Sequence, residues 1–86
     1  MTLELFAKTL ICDNTLVRLW FETVDGYKQI TNDDGREVGM EWEIISGKGW
    51  QAKYAHHLVI GVKDIYCEGP YVEAVNIVIS DNPVTY

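Results

Sequence analysis

The sequence is poor in the residues that mark linkers, disulfide scaffolds and membrane spans. It holds two prolines and two cysteines in 86 residues. Small secreted domains more often carry four to eight cysteines, and Cys12 and Cys67 lack a C-x-x-C spacing, so both are expected reduced and buried. No apolar run approaches the ~18 residues needed to span a bilayer, and no membrane association is expected. Glu4 and Lys8 interrupt the stretch that a signal peptide would need uncharged, which points to a cytoplasmic protein. Basic residues are also scarce. Seven Lys and Arg stand against thirteen Asp and Glu, a formal charge of -6, which argues against direct binding of nucleic acid.

What is present is globular. Hydrophobic residues make up 48% and aromatics 12%, too apolar for disorder. The length allows one domain over residues 1–86, with one core. Turn signals recur at Asp13-Asn14, Asp25-Gly26, Asn32-Asp33-Asp34-Gly35, Ser46-Gly47-Lys48-Gly49, Glu68-Gly69-Pro70 and Asp81-Asn82-Pro83. Between them the apolar period is two, the strand period. Val38, Met40, Trp42 and Ile44 alternate with Glu37, Gly39, Glu41 and Glu43, a half-buried strand with an acidic outer face. Residues 71–80 are apolar on both faces and read as a central strand. Residues 2–12 and 15–24 read as a hairpin across Asp13-Asn14, and Asp25-Gly26 makes the next tight turn. Residues 50–62 fit a long strand bent near 55–57 better than a helix. The expected fold is mainly β, a small antiparallel barrel or twisted meander of six to seven strands. The alternative is α+β, with one short helix at 50–58.

Chemistry-bearing motifs are few. Asn32, Asp34, Gly35 and Glu41 match offsets of a calcium loop, but Ile30 would occupy the first ligand position. Cys12, His56, His57 and Cys67 have zinc-ligand atoms without the spacing of a closed site, and adjacent strand residues face opposite ways. Ser46 and Ser80 sit in no nucleophile elbow, and Ser46-Gly-Lys-Gly49 lacks the pattern of a phosphate loop. A cysteine–histidine pair can only be drawn on paper, and Glu41 and Glu43 read as solvated charges rather than an acid–base pair. His56 reads as a core or rim histidine. No cofactor, metal or catalytic set is expected.

The acidic residues are the most informative group. Glu22, Asp25, Asp33, Asp34, Glu37, Glu41 and Glu43 fall within residues 22–43, offset there only by Lys28 and Arg36. A local acidic face with aromatic neighbours suits recognition of a basic protein. The expected function is therefore a small, non-catalytic acidic binding protein of the inhibitor or immunity kind found in phages and mobile elements. It would block a basic, even a nucleic-acid-binding, surface of its partner. Its contact residues would be Glu37, Glu41, Glu43, Asp33, Asp34, Asp25 and Tyr27. The alternatives are an assembly subunit of a phage particle, or a small-molecule module with a pocket at Trp50, Tyr54 and His56. Oligomeric state is left open, a homodimer included.

Overall fold

Two β-branched, apolar segments that lie far apart in sequence pair side by side at the centre of the protein. In the computed structural model, which describes residues 1–9 and 14–83, strand β1 (Leu16–Thr23) runs parallel to β5 (Tyr71–Pro83). On its other edge β1 pairs antiparallel with β2 (Gly26–Gln29) and, further back, with the two-residue β3 (Gly39–Met40). The far edge of β5 takes β4 (His57–Glu68) in an antiparallel hairpin. The result is one mixed, five-stranded sheet in the order β2-β1-β5-β4, with β3 beside β1. It is open, not a closed barrel, and has five strands rather than six or seven.

Three short helical elements lie with it: α1 (Leu3–Thr9), α2 (Glu41–Ser46) and a 3-10 turn at Trp50–Tyr54. The expected α+β alternative therefore fits, with more helix than anticipated. Residues 3–9 form a helix, not a strand paired with β1. Its buried Leu3 and Ala7 lie one helical turn apart, and Lys8 pairs with Glu4 at 3.2 Å. The alternation over residues 38–44 also misleads: the strand stops at Met40, and the next six residues are helical. Glu41 and Ile44, three apart, are buried, whereas Trp42 is 46% exposed. Residues 50–62 divide, with a 3-10 turn first and strand β4 from His57.

Other expectations are met. β5 is central, as its two apolar faces imply. The expected turn into β2 is present but lies one residue earlier, at Val24-Asp25, and Gly26, at φ 133°, opens β2 instead of completing the turn. Gly69-Pro70 turn β4 into β5, with Gly69 at φ 59°, the left-handed value that a first turn position with glycine supplies. The Ser46–Gly49 punctuation joins two helical elements instead of two strands, and β5 continues through Asp81-Asn82-Pro83.

The core lies on one face of the sheet. Val17 and Leu19 of β1 and Val75, Ile77 and Ile79 of β5 pack with Leu3, Ala7, Ile30, Ile44 and Ala55. Thr15 is fully buried and ties the layers together. Its Oγ1 donates to the Val72 carbonyl at 2.8 Å, and its own carbonyl accepts the Glu41 N–H.

Candidate functional site

The structure separates the expected acidic residues. Glu41 is only 4% exposed and belongs to the fold. Glu43 turns back onto the start of α2, where its Oε1 accepts the Met40 N–H at 3.1 Å, satisfying a helix-end donor. Neither forms an outer row with Glu37. Asp33, Asp34 and Glu37 are exposed in the loop between β2 and β3. A turn closes that loop from the Gly35 N–H to the Asn32 carbonyl, and Asp34 Oδ1 accepts the Arg36 N–H. Asp25 is exposed at the β1–β2 turn. Tyr27, 52% exposed on β2, lies under the Lys63 ammonium at 4.7 Å. Among the described residues the Lys8–Glu4 contact is the one ion pair, so Asp25, Asp33, Asp34 and Glu37 are unneutralised.

Two histidine expectations change places. His56 is exposed, and His57 is buried, its Nδ1–H donating to the Ser80 carbonyl at 2.7 Å with Tyr54 against its ring. Trp50, Tyr54 and His56 do not line a common pocket. Trp50 Nε1–H donates to the Val38 carbonyl, and Tyr54 packs edge-on to Phe21. Cys67 is a free, exposed thiol, not a buried one, and Cys12 lies outside the described residues. Among the described residues no three His, Cys, Asp or Glu side chains gather as a metal site would require, and no helix is long and apolar enough to cross a membrane.

The sheet face opposite the core carries a hollow of about 1120 Å³, open to solvent. Cross-strand register orders its floor in rows. Leu16, Ala74 and Tyr66 form an apolar row across β1, β5 and β4. Beside it, Arg18, Asn76 and Asp64 form a polar row across the same strands. Trp20 and Val78 follow, and Lys63 lies 3.8 Å above the Trp20 ring. Asn76 Oδ1 accepts the Trp20 Nε1–H at 3.0 Å, which fixes the amide and leaves its NH2 free to donate. Arg18 is half-buried, and neither its guanidinium nor the Asp64 carboxylate has a hydrogen bond or ion pair among the described residues. Tyr66 (63% exposed) and Ile65 (57%) stand on β4, whose outer edge meets Met1 and Thr2 only at Leu58 and Val59.

Sequence reasoning passed over this face. Its signal was Arg18, a lone charge inside an apolar strand, but register alone sets it beside Asn76 and Asp64. At the mouth of the hollow the Glu73 carboxyl lies near that of Glu68, and hydrogen bonding to Glu68, then lost solvation, then the mutual repulsion of the two acids raise it above its ordinary value.

The chain matches no protein-family model, no curated protein and no solved structure.

Proposed function

We propose that this protein is a non-catalytic binding domain that meets a basic partner protein through its acidic loop segment, and so acts as a blocking or inhibitory ligand of that partner. The observation that carries the reading is the exposure of Asp25, Asp33, Asp34 and Glu37 with no ion pair to any of them among the described residues. Unneutralised surface acids of one sign speed encounter with a positive surface and lose that advantage as salt screens them. Glu41 and Glu43 are structural in this reading and take no part in contact. Tyr27, half-exposed on the neighbouring strand, supplies an aromatic anchor of the kind favoured in interfaces.

The test is affinity capture from the native host with partners identified by mass, at low and at high salt. A basic protein retained at low salt and released at high salt supports the proposal. Its retention should fall at least about tenfold with the triple charge reversal Asp33→Lys, Asp34→Lys, Glu37→Lys. Retention of the same partners by that variant would overturn it.

A further inference from the structure

We propose that the open sheet face is a homodimer interface, in which Arg18 of each copy receives the Asp64 carboxylate of the other. The surface is separate from the acidic loop, and the inference does not depend on the function proposed above.

The face is built to take a carboxylate. Arg18 is a half-buried cation with no partner of its own among the described residues, and it stands directly beside Asn76 in the sheet register. The hydrogen bond from Trp20 occupies the Asn76 carbonyl oxygen, so the side of Asn76 left to bind is its amino group. A guanidinium and an amide NH2 side by side form a donor pair suited to a carboxylate. A third member of the row, Asp64, lies beyond Asn76 and is an unpaired carboxylate.

These positions are self-complementary. With neighbouring strands about 4.8 Å apart, the Arg18 and Asp64 backbones lie about 10 Å apart on either side of Asn76. A two-fold axis running along β5 above Asn76 exchanges the positions of β1 and β4. It therefore sets Arg18 over Asp64 of the second copy and Asp64 over its Arg18, with the two Asn76 side chains at the centre. The same operation lays Tyr66 of each copy over Leu16 of the other and sets the two small Ala74 residues face to face, so bulky side chains enter each hollow. Sheets packing face to face in near alignment are an ordinary arrangement, and an isologous contact requires such reciprocal pairs. Pairing along the exposed β4 edge would also make a dimer, but it would leave Arg18 and Asp64 apart.

Sedimentation equilibrium on the full chain tests this. The wild type is expected to be a dimer. Arg18→Asp alone puts acid against acid at both contacts, and Asp64→Arg alone puts base against base. Each should weaken self-association at least about tenfold. Mixed together, the two variants again present opposite charges at both contacts and should form a heterodimer of near wild-type affinity, which also shows that both are folded. The milder Arg18→Gln and Asp64→Asn, which cannot repel, should weaken the dimer less. A monomeric wild type, single variants that dimerise as the wild type does, or a mixture that stays monomeric would each overturn the proposal.

Discussion

The side-chain amide of Gln51 donates from Nε2 to the main-chain carbonyl of Val17 at 2.7 Å, joining the 3-10 turn to the central strand inside the core. The contact also explains a glycine. A Cβ on Gly39 would fall within 3 Å of the Gln51 side chain, so β3 can pass beside β1 only because residue 39 has none.

Gln51→Ala should therefore destabilise the protein by about 1–3 kcal/mol, because it strands a buried carbonyl. Gly39→Ala should cost a similar ~1–3 kcal/mol through overpacking. Since both act on one contact, the double variant should lose less than the sum of the two. Urea unfolding of the four proteins in the cycle measures the coupling.

Glu43 holds the start of α2 instead of facing a partner. Glu43→Ala should lower stability by ~1 kcal/mol through loss of the Met40 N–H acceptor. Glu37→Ala, in the exposed loop, should change it by less than about 0.5 kcal/mol. Thermal melts of the two variants beside the wild type separate the roles that the alternating sequence pattern makes look alike.

The carboxyls of Glu68 and Glu73 predict a pH effect of definite sign. Because Glu73 titrates above its ordinary value in the fold, the native state favours its protonated form. That contribution is present below the ordinary carboxylate value and is lost as pH rises through the raised one. Glu73→Gln keeps a hydrogen-bonding group without the charge. It should raise the melting temperature relative to the wild type at neutral pH and lose that advantage in acid.

The β4–β5 hairpin depends on Gly69. Its φ of 59° is left-handed, so Gly69→Ala should cost about 1–2 kcal/mol. Gly61, within β4, has no such angle and no close neighbour, and Gly61→Ala should be the milder change in the same denaturation assay.

Much of the sheet was legible in the sequence. The β-branched, aromatic run at 15–24 is β1, the doubly apolar run at 71–80 is central, and the hairpin turns follow glycine with aspartate or proline. These features work through local backbone preference and a period of two, which act over a few residues. The helices were not legible for the same reason. A seven-residue helix such as α1 shows its period only through Leu3 and Ala7, and residues 38–44 alternate by composition while folding as two different structures. Glu41 looks like a surface charge in any local pattern, and its burial is set by tertiary packing, in which α2 lies against α1 and the 3-10 turn and the Glu41 N–H donates to the Thr15 carbonyl.

The acidity of residues 22–43 and the absence of catalytic spacing belong to the sequence itself, since composition and interval do not change on folding. Which of those acids reach solvent was decided by tertiary structure, because a helix start and a core claim Glu43 and Glu41. The row of Arg18, Asn76 and Asp64 was likewise decided there. Its members are separated by 58, 12 and 46 positions along the chain, and only the parallel pairing of β1 with β5 and the return of β4 bring them to one face. Local preference can specify a strand, but long-range hydrogen bonding selects its neighbours, and the neighbours make the site.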